Sequence, residues 1–293
     1  MKGLKGMYAT TTTKGYVIAA LVALVVLLLI YYYLPNKISG QQWDPSHLRE
    51  NFYKNPCILY TSYNKTYADK KFVRLNREIL SRYAKIHGYE YKVLIHEDDF
   101  MSPYWTRVFD LERLLYKSPD NSLIMYFDAD AVPRAAVKNI SIEAFVDSID
   151  SCRRSRGEFL SDFYVSEDPA VTLDFMYTGV FNSGVFIVRN TPELRNLVKR
   201  WMSMYNNGHK WHHKNNKWEC EIYDRSCIWS FKGYEQYALT ELYQENPELF
   251  TRLHWTALAC AKDRENCFVT HLMGARDEQR EIYFEKSLAL YNA

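Results

Sequence analysis

Asp128 and Asp130 stand one residue apart, directly after the apolar run Ser122-Leu-Ile-Met-Tyr-Phe127. Two carboxylates in a turn leaving a strand can face one hard cation or its water shell. Such a cation bridges the oxygens of a diphosphate and, as a Lewis acid, stabilises the charge that a departing diphosphate gathers. Oxygen ligands select magnesium or manganese (Mg2+ or Mn2+) over zinc, and an added imidazole tilts the choice toward manganese. The position strengthens this reading, because ligands of open α/β sheets collect at the carboxyl ends of strands.

The elements that must position these acids are legible around them. Cys57-Ile-Leu-Tyr-Thr61 reads as a buried strand ending in polar residues. Lys70 to His87 carries Phe72, Leu75, Ile79, Leu80 and Tyr83 at helical spacing, and Gly88 stops it. Tyr89 to Ile95 reads as the next strand and Trp105 to Tyr116 as a helix with Phe109, Leu111, Leu114 and Leu115 apolar. This alternation predicts an α/β domain with a mostly parallel sheet. With 293 residues and 47% hydrophobic composition, the chain suits one substantial core.

Tyr16 to Leu34 holds no charged residue and closes on Tyr31, Tyr32 and Tyr33. As a helix it would span roughly 28 Å, close to the hydrocarbon thickness of a bilayer. Lys2, Lys5 and Lys14 precede it and only Lys37 follows closely, so the positive-inside bias puts the N-terminus in the cytosol. The sequence thus divides into a cytosolic tail (1–15), a transmembrane anchor (16–34), a stem (35–54) and a catalytic domain (55–293). It reads as a single-pass type II membrane protein, its domain lumenal in a Golgi- or ER-like compartment if the source is eukaryotic. Cys220 with Cys227, and Cys260 with Cys267, could close local disulfides there. Asn64 and Asn139 begin glycosylation sequons. Lys plus Arg number 37 against 35 Asp plus Glu, so the basic excess of a nucleic-acid binder is missing. Aromatic residues reach 16%, which suits sugar faces and a Tyr-rich core equally.

Several motifs together resemble glycosyltransferase family 34, which contains galactosyl-, mannosyl- and xylosyltransferases. They are Arg82-Tyr83-Ala84-x-x-His87-Gly88-Tyr89, Trp105-Thr-Arg107, Ser118-Pro119, Asp128-Ala-Asp130-Ala131, Phe181-Asn-Ser-Gly-Val-Phe-Ile-Val-Arg-Asn190, Glu235-Gln236-x-Ala238-Leu239 and His271-x-x-Gly274. Their order covers nearly the whole domain. Arg107 stands where a Lys is common, and Ala275 where a Cys is usual. Glycogenin-like family 8 enzymes share the Asp-x-Asp, the Asn-x-Gly strand and the late His. The resemblance implies a GT-A fold, a divalent metal, a UDP- or GDP-sugar donor, a glycan acceptor and retention at the anomeric carbon.

It further implies Asp130 and His271 as metal ligands, with Asp128 sharing the metal or binding the donor. Thr61 and Ser62 would contact the donor base and ribose, and Tyr60 or Tyr63 could stack on the base. Asn182, Ser183 and Gly184 would line the reacting centre, with Arg107 also on the donor side. Glu235 and Gln236 are the catalytic candidates. The carboxylate acts either as nucleophile in a double displacement or as stabiliser of an oxocarbenium-like state. Arg276 would meet the leaving diphosphate. His209, Trp211, His212, His213 and Trp218 could floor an acceptor site.

Two other readings compete. A run of apolar residues and Asp-x-Asp-x-Val also resembles the nucleophile motif of haloacid-dehalogenase-like phosphatases. About 70 residues of α/β pattern precede it here, and no Asp-Asp pair follows Asp130. A catalytically inactive binding relative would keep the fold and lose the metal ligands.

Overall fold

Strand β3 (Leu123–Phe127) lies inside a six-stranded sheet of order β2 (Glu90–His96), β1 (Cys57–Asn64), β3, β6 (Phe181–Arg189), β5 (Phe163–Glu167), β9 (Phe250–Leu253), and its alternating side chains feed two cores. In this computed structural model the described residues are 40–48, 56–157, 160–168, 181–205, 211–215, 217–220, 233–261 and 266–293. Leu123, Met125 and Phe127 join the core on one face, and Ile124 and Tyr126 the core on the other. That period-2 split is why the strand reads as continuously apolar: it is buried on both sides.

The chain reaches the sheet through β1 (Cys57–Asn64), then helix α1 (Lys71–His87), β2 (Glu90–His96) and helix α2 (Pro103–Lys117). Gly88 adopts φ 72°, the left-handed conformation that ends α1 cheaply. β1 pairs in parallel with both β2 and β3. The chain therefore leaves β1 to one side and returns on the other, which places a topological switch point at the carboxyl ends of β1 and β3.

After β3 come the short β4 (Ala131–Pro133), helix α3 (Ile142–Ser155), β5 (Phe163–Glu167) and β6 (Phe181–Arg189). β6 runs antiparallel to β3 and β5, whereas β5 is parallel to β9 (Phe250–Leu253). The sheet is thus mostly parallel, as the strand–helix alternation predicts, with β6 reversed. Helix α4 (Pro192–Ser203) precedes the hairpin β7 (Trp211–Lys214) and β8 (Lys217–Cys220), and helix α5 (Glu235–Glu245) precedes β9. β10 (Val269–His271) pairs antiparallel with β4, and helix α6 (Asp277–Asn292) closes the chain. Helices α1, α3 and α6 contribute to the core around Phe127, and α2, α4 and α5 to the core around Tyr126.

The compact unit begins at Gly40, so part of the segment read as stem belongs to it. Gln41 bridges to the β9 edge, its N–H donating to the Arg252 carbonyl at 2.9 Å. Trp43 is 1% exposed between Phe145 and Phe268. A Cβ at Gly40 would lie 2.4 Å from the Leu253 carbonyl carbon, so only glycine lets this segment dock so closely. The segment 16–34 lies outside the described residues, and among those described no helix is long and apolar enough to cross a membrane.

Cys260 and Cys267 are disulfide-bonded, as their spacing suggested. Cys227 lies outside the described residues, so its pairing with Cys220 does too.

Candidate metal site

Asp128 and Asp130 leave the carboxyl end of β3, and the β4–β10 pairing brings His271 to them. Ala131 stands opposite His271 in that ladder, so the imidazole is set beside the residue preceding Ala131. One ligand atom each from Asp128, Asp130 and His271 lies within 4.8 Å of the others. His271 Nε2 is 3.1 Å from Asp130 Oδ1 and 3.8 Å from Asp128 Oδ2.

The outer oxygens are held by other partners. Arg280 on α6 donates to Asp130 Oδ2 at 2.8 Å. Tyr126 donates to Asp128 Oδ1 at 2.6 Å, and Arg107 Nη2 sits 3.0 Å from the same oxygen. Asp130 Oδ1 and Asp128 Oδ2 face the imidazole, and Asp128 Oδ2 also accepts from Arg107 Nη1 at 3.3 Å. A donor set of two carboxylate oxygens and one imidazole nitrogen suits manganese or magnesium. The three residues therefore fit a divalent ion.

Electrostatics follow from burial and pairing. Burial pushes the Asp130 carboxyl up, but the charges and hydrogen bonds of His271 and Arg280 outweigh it and hold it at about 2. Burial works against a charged His271, yet Asp130 and then Asp128 prevail and raise its pKa. The pocket thus draws positive charge to its centre, a proton or a metal.

β6 supplies the next layer. The Asp128 N–H donates to the Gly184 carbonyl at 2.7 Å, locking the acidic turn to the neighbouring strand. Gly184 must lack a side chain: a Cβ there would lie 2.2 Å from His271 Cε1 and 2.6 Å from Asp128 Oδ2. The Ser183 hydroxyl donates to Glu235 Oε1 at 2.9 Å, and its N–H donates to Gln236 Oε1 at 3.1 Å. Gln236 and Asn182 both donate amide protons to Asp168 Oδ2, at 3.2 and 3.3 Å. Arg107 joins the layers, contacting Asp128, the Ser183 carbonyl at 3.2 Å and Glu235 at 3.7 Å.

The fold thus brings together Asp128, Asp130, His271, Asn182, Ser183, Gly184, Glu235, Gln236 and Arg107. Other candidates are placed differently. Thr61 and Ser62 are buried, and β1 runs on to Asn64. Ser62 donates to Asp110 at 2.7 Å, and Thr61 to the Tyr63 hydroxyl at 3.3 Å, so both side chains contact protein. Tyr60 and Tyr63 are core residues. Arg276 is exposed at the start of α6, and the guanidinium that reaches the acids is Arg280, one turn later. Trp211 is buried, its indole N–H donating to the Gly233 carbonyl, and Trp218 donates to the Asp98 carbonyl. His209 lies outside the described residues.

Sequence reasoning missed Arg280, Tyr126 and Asp168. Strand alternation from Asp128 marks Tyr126, which shares its face, whereas Arg280 is brought to Asp130 only by the packing of α6. Asp168 follows a register shift between Val165 and Glu167, an irregularity with no local sequence signal.

No protein-family model and no curated protein matches the chain. Among solved structures, a glycosyltransferase involved in the glycosylation of the major capsid of PBCV-1 aligns at TM-score 0.54 and 16% identity, over 80% of this chain and 100% of that one. The chain shares that structure's fold, a mixed α/β architecture matching the GT-A type. Two weaker likenesses, both at TM-score 0.44, are to the galactosyltransferase LgtC in complex with donor and acceptor sugar analogues, and to apo GlyE of Streptococcus pneumoniae TIGR4. LgtC aligns at 14% identity over 80% of this chain and 95% of its own, and GlyE at 10% over 82% and 62%.

Glu235 is a buried carboxylate whose Oε1 meets Ser183 and Arg107. Its Oε2 is buried and has no hydrogen-bond partner among the described residues. Burial raises its pKa despite Arg107 and Ser183. The fold therefore favours the protonated form, a contribution fully present below the unfolded value near 4.5 and lost as pH rises through the folded one. Glu235→Gln should accordingly raise Tm at neutral pH. A lower Tm at pH 7.5, measured by calorimetry, would contradict this account of a carboxylate held at a cost.

Proposed function

We propose that this chain is a metal-dependent glycosyltransferase that moves a hexose or pentose from a UDP- or GDP-sugar to a glycan or glycoprotein acceptor. The observation that carries the reading is the convergence of Asp128, Asp130 and His271 beside Glu235 at the carboxyl end of β3. The motif order resembling family 34 supports the finer assignment. In this reading residues 16–34 anchor the domain to a membrane.

Asp130 and His271 would hold the ion, with Asp128 sharing it or meeting the donor. The bound ion would supply Lewis-acid stabilisation of the leaving diphosphate. The chain's own groups do the rest. Arg280 fixes Asp130, so one carboxylate oxygen remains for the centre. Tyr126 holds Asp128 Oδ1, and Arg107 forks across both Asp128 oxygens and sets the plane of that carboxylate. Asn182, Gln236 and Asp168 form a polar wall suited to sugar hydroxyls, and Gly184 lets Asp128 and His271 pack directly on the strand. Glu235 then serves on the sugar face away from the diphosphate, as nucleophile or as stabiliser of developing positive charge.

The test is transfer by the full-length protein across a panel of UDP- and GDP-sugars, with the product anomer read by proton NMR at early times. The expected product keeps the donor's anomeric configuration. An inverted product would overturn the retaining assignment, and no turnover with any donor by folded, nucleotide-binding protein would favour an inactive binding relative.

A further inference from the structure

We propose that the Cys260–Cys267 disulfide positions His271 as a ligand, so that metal affinity depends on this bond. The inference rests on the metal reading above. It starts from what holds the histidine's own N–H.

β10 is three residues long, Val269–His271. On one side its partner is β4: the Leu272 N–H donates to the Asp130 carbonyl at 2.9 Å and the Arg134 N–H to the Phe268 carbonyl at 3.0 Å, so His271 opposite Ala131 is a non-hydrogen-bonded pair and the His271 N–H faces away from β4. On the other side stands the Cys260 segment. The His271 N–H donates to the Cys260 carbonyl at 2.8 Å, and Thr270 bridges Cys260 in parallel. The Phe268 N–H donates to the Ala257 carbonyl at 3.1 Å, continuing the same seam. Cys260 is then bonded to Cys267, four residues before the histidine, and both cysteines are fully buried. The disulfide closes a clip whose two arms meet at the His271 backbone.

The imidazole lacks the usual second fastening. A metal-bound histidine normally donates its other ring N–H to an acceptor that fixes the ring. Here Nδ1 is buried and has no hydrogen-bond partner among the described residues. The ring is oriented by packing on Gly184 and by where the backbone delivers it. Loosening the backbone therefore releases the ring, with no outer hydrogen bond to retain it.

The experiment measures manganese binding to the full-length protein by electron paramagnetic resonance, comparing wild type with the Cys260→Ser/Cys267→Ser double variant. Removing an outer fastening of a ligand typically weakens metal binding about 10–100-fold, and that loss is expected. Amide hydrogen exchange at His271 should quicken in parallel. A comparison variant, Val198→Ala, lies in the opposite core and should lower Tm while leaving manganese affinity within about twofold. Equal affinity in wild type and double variant would overturn the inference and leave the metal site standing. Equal weakening by Val198→Ala at matched Tm would also overturn it, because affinity would then follow general stability. A wild-type chain that binds no manganese would overturn both this inference and the metal reading. Should the double variant not fold, the same titration on folded wild type reduced with a phosphine gives the test.

Discussion

Asp130→Asn should abolish manganese binding and lower sugar transfer on the order of a thousandfold, while leaving a folded protein. Metal assistance is worth several kcal/mol in such steps, and ~4 kcal/mol corresponds to about that factor. The substitution keeps the shape of the side chain and removes its charge. Asp130 lies between His271 at 3.1 Å and Arg280 at 2.8 Å, so an amide there can accept from one and must present its own N–H groups to the other. Some stability goes too. Asp130 titrates below its ordinary range, so its contribution is present at neutral pH and is lost only as pH falls through about 2. The variant should therefore melt a few degrees lower at pH 7.5 and lose that difference in strong acid. Manganese titration and initial rates at saturating donor check the first claim, and calorimetry the second. Undiminished manganese affinity would remove Asp130 from the ligand set.

Gly184→Ala should cost about a hundredfold or more in turnover, by geometry alone. No charge changes and no hydrogen bond is deleted. The added methyl would come within 2.2 Å of His271 Cε1, 2.6 Å of Asp128 Oδ2 and 2.9 Å of His271 Nε2. Two ligands must therefore move, and misplacement of about 1 Å at a reacting centre costs on the order of a hundredfold. Overpacking also costs stability, about 1–3 kcal/mol, so activity should be compared well below Tm. The expected pattern is weaker manganese binding together with lower turnover. Wild-type rates in this variant would mean that the centre of reaction lies elsewhere than the Asp128–His271 cleft.

Much of this arrangement is legible in the sequence. Parallel strands buried on both faces must be apolar throughout, so β1 and β3 announced themselves, and Asp128 and Asp130 stood out as charges where such a strand ends. Gly88 marked a helix stop because its left-handed φ is cheap for glycine. The resemblance to family 34 pointed to His271, Glu235 and the Asn182–Gly184 segment, all of which the fold gathers around β3.

What stayed hidden depends on distances that sequence does not encode. Arg280 meets Asp130 across 150 positions of chain, and only the packing of α6 against α1 makes that contact. Thr61 and Ser62 were placed at a strand end, but β1 extends three residues further and turns both hydroxyls to protein partners. Gly40–Leu48 has no period to betray it, because it docks through Trp43 and backbone contacts to the sheet edge instead of a repeating apolar face. Asp168 owes its position to an irregular register between β5 and β6.

The most direct test of the central claim is donor cleavage by the full-length protein with manganese, with chelator, and with manganese restored. The account predicts turnover of at least one UDP- or GDP-sugar, its loss on chelation and its return on adding the ion, with none of these in Asp130→Asn. Turnover that persists unchanged in chelator and in Asp130→Asn would contradict a metal-dependent site built from Asp128, Asp130 and His271.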